Sequence, residues 1–263
     1  MAINKELWQE PTLAKEFLCP HCEYGTLRIK KNKDGKTLLE QEQTPASKRE
    51  EDALWEEINY SIDVTEYVFT AILECRVCGE LVVTGGDSSV NENFDPYDHE
   101  GEEITMDYYN ICTPEYFHPA VPIFKIPKAC PDSVKAVIKE AFKLFLVDEN
   151  ACGNKIRIAL EKLMNELKIR KTYTSKKGKR IHYTLDARIK LFKDKYPQIS
   201  QYLMAVKWIG NQGSHANNLN REDILLGFEL LDYALEELYN PRSKQMLQIS
   251  KQINKNKGIK VRQ

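Results

Sequence analysis

No run of about 18 apolar residues occurs in this chain of 263 residues, so a membrane-spanning helix is not expected. Met1 to Phe17 carries three acids and lacks an apolar core, so a secretory signal is not expected either. Residues 85–107 hold eight acids and no Lys or Arg; residues 241–263 hold seven Lys+Arg and no acid. The first stretch predicts an irregular, solvated loop, and the second a basic, mobile tail. The acidic stretch lacks the regular ligand spacing of a calcium loop. A carboxylate cation site built from Asp95, Asp98 and His99 is the alternative reading there. No internal repeat is evident. The apolar content of 42% is enough for a real core, in one large domain or two modest ones.

A net charge of −1 conceals an asymmetry. Residues 1–118 hold 10 Lys+Arg and 25 Asp+Glu, a balance of −15, whereas residues 119–263 hold 28 and 14, a balance of +14. The basic half is a candidate for RNA or DNA, and the acidic half for a protein partner. The alternative is two solvated surfaces of opposite sign that attract one another.

Four of the seven cysteines form two C-x-x-C pairs, Cys19-Pro20-His21-Cys22 and Cys75-Arg76-Val77-Cys78, the second followed by Gly79. Two such pairs supply four soft ligands for one closed tetrahedral Zn2+. Strand-like runs flank the second pair, Tyr67 to Leu73 before and Leu81 to Val83 after, which is the pattern of half a zinc ribbon. Disulfides and unrelated buried cysteines are the alternatives. A closed site has no open ligand position, so the expectation is one structural zinc rather than metal catalysis. Cysteines at metal spacing suit a reducing cytoplasm. Cys112, Cys130 and Cys152 have no ligand spacing and read as small apolar residues.

The expected organisation is α+β. An acidic zinc-ribbon domain with a long insertion covers 1–112. A proline-rich connector, 113–131, holds five of the eleven prolines. Residues 41–52 read as polar and exposed. Apolar residues then recur at three- and four-residue steps, which predicts helices over 132–145, 151–170, 184–194, from Pro197 onward, and 223–239. A bundle of four or five helices over 132–240 follows, then the basic tail. Between helices, Lys176, Lys177, Lys179 and Arg180 centre a basic break. Lys168 to Lys195 holds eleven cations, with Tyr173, His182 and Tyr183 interleaved. This is a candidate phosphate footprint with aromatic groups for base stacking. A solvated loop is the bland alternative.

Lys207-Trp208-Ile209-Gly210-Asn211-Gln212-Gly213-Ser214-His215 stands apart, because two glycines sit where a helix continues or ends. Asn211 and His215 share a face if the helix persists. A glycine cap followed by a polar loop, with His215 merely exposed, is the other reading.

Pro127 with Cys130-Pro131, Ala141, Arg157-x-x-Leu160-Glu161 and Gly210-Asn211-x-x-x-His215 occur in the order and spacing of a known family. Over about 120–240 the chain resembles the family catalogued as domain of unknown function 4145, a branch of the HEPN superfamily of small helical bundles. A cysteine ribbon is a frequent companion there. The resemblance implies a homodimer, a setting in prokaryotic antiviral defence or toxin-type systems, and metal-independent RNA cleavage. In such a ribonuclease His215 exchanges the proton and Asn211 completes the motif. Gly210 stands where the motif has arginine, which leaves Lys207 and Arg157 as candidate phosphate-holding cations. The expected function is a nucleic-acid-associated module using His215 as a ribonuclease. The alternative is a non-catalytic dimerisation and protein-interaction module.

Overall fold

The computed structural model describes residues 3–56, 65–94, 106–212, 219–240 and 242–258. The chain is α+β and divides into two compact units. One comprises Asn4–Ile123 with Phe142–Asp148; the other comprises Phe124–Ala141, Glu149–Gln263 and the first three residues.

The first unit is built on α1 (Lys5–Gln9), β1 (Leu27–Ile29), β2 (Leu39–Gln43), α2 (Pro45–Glu56), β3 (Glu66–Cys75), β4 (Leu81–Phe94) and β5 (Met106–His118). The sheet is antiparallel, in the order β1-β3-β4-β5, with β2 also on β3. Leu27–Ile29 pairs with Leu73–Cys75, and Leu39–Gln43 with Tyr67–Ala71, so β1 and β2 share one edge of β3. The intervening turn is held by Asn32, whose Oδ1 accepts from the amides of Asp34 and Lys36 at 2.9 Å each.

Alternate residues of β3 go inward: Phe69, Ala71, Leu73 and Cys75 are buried, as a period of two requires. An aromatic cluster completes this core. The Trp8 ring lies 5.5 Å from Phe17 and 5.6 Å from Phe145, and Phe17 lies 4.8 Å from Phe117. Burying each large side chain contributes about 1.5–3 kcal/mol.

Two stretches differ from expectation. The acidic segment from residue 85 begins as strand, because β4 runs on to Phe94 against β5. Gly85 and Gly86 mark a register shift, not a loop. A Cβ on Gly85 would stand 2.9 Å from the Phe69 carbonyl oxygen, and one on Gly86 would collide with the Thr113 carbonyl. The start of the expected connector is strand too: Pro114 sits opposite Gly86 in β5, the outer strand, at the irregularity where a missing amide costs least. Residues 45–52 of the stretch expected to be exposed belong to helix α2 and are exposed apart from Ser47 and Glu51. Asp95, Asp98 and His99 lie outside the described residues.

The second unit holds α3 (Asp132–Leu144, whose last turn counts with the first unit), α4 (Glu149–Glu166), β6 (Thr172–Thr174), β7 (Arg180–His182), α5 (Leu185–Lys193), α6 (Pro197–Gln212), α7 (Arg221–Tyr239) and α8 (Arg242–Asn256). Helix α6 packs against α4, α5 and α7. Ile156, Leu160 and Leu163 of α4, Leu203 and Val206 of α6, and Phe228 and Leu231 of α7 are almost fully buried. Along α3, the Cys152 thiol of α4 donates to the Ala141 carbonyl at 3.2 Å. A capping box starts α7: Asn220 Oδ1 accepts from the Asp223 amide at 2.8 Å, and Asp223 Oδ2 accepts from the Asn220 amide at 3.1 Å. Arg242–Asn256, expected as mobile tail, is helix α8.

Candidate metal centre and candidate nucleic-acid interface

The two cysteine pairs meet because of the sheet. The first knuckle leads into β1, β3 ends in the second, and the antiparallel pair Leu27–Cys75 brings both to one end. Each knuckle is a tight turn closed by backbone bonds. The Glu23 amide donates to the Cys19 carbonyl at 3.0 Å, and the Gly79 amide to the Cys75 carbonyl at 3.1 Å. Gly79 has φ +73°, a conformation that glycine adopts without a Cβ penalty. Gly25 was not singled out in the sequence, yet the two knuckles depend on it. A Cβ there would stand 2.6 Å from Cys75 Sγ. The signal was its place three residues after Cys22.

The four sulfurs all lie within 4.8 Å of one another, with Cys19–Cys78 and Cys22–Cys75 at 3.7 Å each. A disulfide would hold them at about 2.05 Å. Four sulfurs bound tetrahedrally at about 2.3 Å from one ion have edges of about 3.8 Å. The cluster therefore fits a single metal ion. Backbone amides point at the sulfurs: His21 N to Cys19 at 3.4 Å, Gly25 N to Cys22 at 3.3 Å, and Val77 N to Cys75 at 3.4 Å. Such donors favour thiolate. The amide of Tyr24, with that of Gly25, brings the Cys22 thiol down to about 6. At Cys75 burial works upward, but the amides of Cys78 and Val77 outweigh it and the net direction is down. Burial pushes Cys19 up to about 12. None of the seven cysteines is in a disulfide, and Cys112, Cys130 and Cys152 are buried and not among the four of the cluster.

The basic break between α4 and α5 is an antiparallel hairpin. Thr172–Thr174 pairs with Arg180–His182, and Gly178, at φ +74°, lets the turn close. The Ser175 amide donates to the Lys179 carbonyl at 2.8 Å. Lys176, Lys177, Lys179 and Arg180 are all exposed on this turn. From Lys168 to Tyr183 the chain holds seven cations and no acid. The Tyr173 and Tyr183 rings stand 4.7 Å apart at the hairpin base. The hairpin is tied down by Arg188 of α5, whose Nη2 donates to the Ile169 carbonyl at 3.0 Å, and by Thr184, which caps α5.

The catalytic candidates are distributed unevenly. Asn211 lies half-buried in the last turn of α6; His215 lies outside the described residues. Gly210 is buried where α6 crosses α4. A Cβ on it would stand 2.9 Å from both Arg157 Cβ and the Gly153 carbonyl oxygen. No arginine fits at this position without moving a helix, which gives a physical reason for the glycine. Arg157 is thereby set beside Gly210, with its guanidinium 3.3 Å from Glu161. Lys207 is different. It is 6% exposed, its Nζ bonds Asp186 Oδ1 at 3.1 Å, and it stands 3.3 Å from the Trp208 ring centre. This lysine is committed to structure rather than free to hold phosphate. Asp186 also accepts from Lys190 at 2.8 Å. Lys190 and then Lys207 hold its carboxyl below the usual carboxylate range.

No curated protein and no solved structure matches the chain. Residues 9–117 match a family described as "Domain of unknown function (DUF8608)". The family that the C-terminal half resembles in sequence is found there as well, residues 139–257 matching "Domain of unknown function (DUF4145)".

Proposed function

We propose that this chain is a nucleic-acid-associated module of a prokaryotic defence or toxin-type system, with a zinc ribbon as a structural element and a HEPN-like helical unit that binds RNA. The observation that carries RNA binding is the β6–β7 hairpin, which exposes Lys176, Lys177, Lys179 and Arg180 with no acid between Lys168 and Tyr183. Such a surface attracts phosphate without reading sequence. Zinc is the metal that four thiolates at this spacing suit best, and a closed four-sulfur set supports folding rather than turnover.

The resemblance adds a chemistry that needs no metal. His215 takes the proton of a 2′-hydroxyl, whose oxygen attacks the adjacent phosphorus. The bond from phosphorus to the 5′-oxygen breaks, and that oxygen leaves with a proton. With position 210 closed and Lys207 paired, Arg157 is the candidate for holding the phosphate. The test is full-length protein with 5′-labelled RNA and EDTA present. Cleavage products ending in 2′,3′-cyclic phosphate, lost in His215→Ala and reduced in Arg157→Gln, support the nuclease. Binding without cleavage in all three leaves the RNA-binding module alone.

The second reading, a non-catalytic interaction module, is favoured by α8. Met246, Ile249 and Ile253 recur at helical spacing and are 48%, 49% and 40% exposed. A partner helix or a second copy of the chain would cover such a stripe. Equilibrium sedimentation of the full chain and of Ile249→Glu tests it.

A further inference from the structure

We infer that the groove between α5 and α6 is a stacking site for an unpaired nucleobase, so that the RNA held by this chain is single-stranded. This rests on the RNA-binding reading above and adds a second, separate contact to it. The groove has a volume of about 420 Å³, in the range of small-molecule sites. Its α6 wall is Gln201, Met204, Ala205 and Trp208, one face at steps of three and four. Lys190 and Lys193 of α5 stand on the other side, above Ile189.

Trp208 is the informative residue. A tryptophan in a helix packed on three others would be expected to bury its ring, yet this one is 57% exposed while its neighbour Lys207 is 6% exposed. The lysine goes inward to Asp186 and leaves its ammonium under the indole, 3.3 Å from the ring centre. That cation holds the ring from one side and leaves the rest open to the groove. A flat aromatic platform with cations on its rim matches a nucleotide in two respects. The base stacks on the indole, and the phosphates meet Lys193. Gln201 offers both donors and an acceptor to a base edge. Bases within a duplex are already stacked and do not present a free face, which selects an unpaired strand. The basic hairpin belongs to the same unit and leads directly into α5, so one strand has a phosphate track and a base platform on consecutive elements.

The test uses full-length Trp55→Phe protein. The remaining tryptophans are then Trp8, which is 3% exposed, and Trp208, so emission changes report on Trp208. A 12-nucleotide single-stranded RNA of mixed sequence should quench that emission saturably, and the matching duplex should bind without quenching. Trp208→Ala should weaken single-strand binding about 5- to 160-fold, Trp208→Phe should retain most of it, and duplex binding should not change. Lys193→Glu is the second variant, which should weaken the single strand while leaving the melting temperature unchanged. Single-strand affinity unaltered in Trp208→Ala, or no quenching at saturation, overturns the groove assignment and leaves the hairpin reading intact. Saturable quenching by free UMP at the affinity of the strand would make this a nucleotide pocket and overturn the strand assignment. Preference for a Glu-rich peptide of equal charge would overturn it in favour of a protein groove. Absence of binding to either RNA defeats both the function and the groove.

Discussion

Gly210 rests directly on Arg157: the crossing of α6 over α4 leaves a Cβ at residue 210 only 2.9 Å from the arginine's own Cβ. The contact explains why the glycine interrupts a helical pattern and where the neighbouring cation comes from. It also yields a measurement with a sign. Helix propensity alone favours Gly210→Ala by about 1 kcal/mol. Overpacking at the crossing opposes it and should dominate, for a net loss of about 1–3 kcal/mol in urea unfolding. An alanine variant as stable as the parent or more so contradicts the contact.

The cysteine cluster makes a claim about metal content. Purified protein should carry about one zinc per chain, and Cys75→Ser should lose it along with cooperative unfolding of the first unit. Substituting Co2+ should produce the visible spectrum of a tetrahedral four-thiolate ion. Metal-free, folded protein with four freely titrating thiols contradicts it.

Lys207 and Asp186 should behave as a coupled pair. Asp186→Ala strands a buried ammonium and should cost about 1–3 kcal/mol. Adding Lys207→Met should recover much of that loss, because the unpaired charge is gone. Additive losses in the double variant would show that the two do not interact.

Much of this was legible in the sequence, for local reasons. Two C-x-x-C turns need only their own residues and a sheet to bring them together. Helices α4 to α7 show their apolar steps because each buries one face. Strand β4 beyond Val83, and β5, were hidden, since backbone pairing carries them while inward positions such as Thr84 and Ser88 are polar and the β4 glycines serve close approach. Helix α8 was hidden for a similar reason: a run without acids reads as a tail unless its Met246, Ile249 and Ile253 steps are weighed. The fate of Lys207 was not readable at all, because Asp186 lies on another helix.

Asp232, buried on α7, gives a pH dependence. Burial, with Glu236 and Glu229 adding to it, raises its carboxyl to about 6. An unfolded chain releases that proton near 3.9, so the folded state binds it more tightly. Stability therefore falls as pH climbs from about 4 to about 6 and stays lowered above. Asp232→Asn should be more stable than the parent by about 1–3 kcal/mol at pH 7.5, with the gap closing toward pH 4. A gap that is equal at both pH values contradicts the assignment.

The central claim is that the β6–β7 hairpin binds RNA through its phosphates. Its most direct test is the salt dependence of single-stranded RNA binding by the parent and by a variant with Lys176, Lys177, Lys179 and Arg180 changed to serine. The plot of log K against log salt should be steep and linear for the parent. Each phosphate contact removed should lower the slope by about 0.7, so the variant should be shallower by about 3 and bind more weakly at low salt. Identical slopes in the two proteins, or no binding by the parent at low salt, would contradict the account.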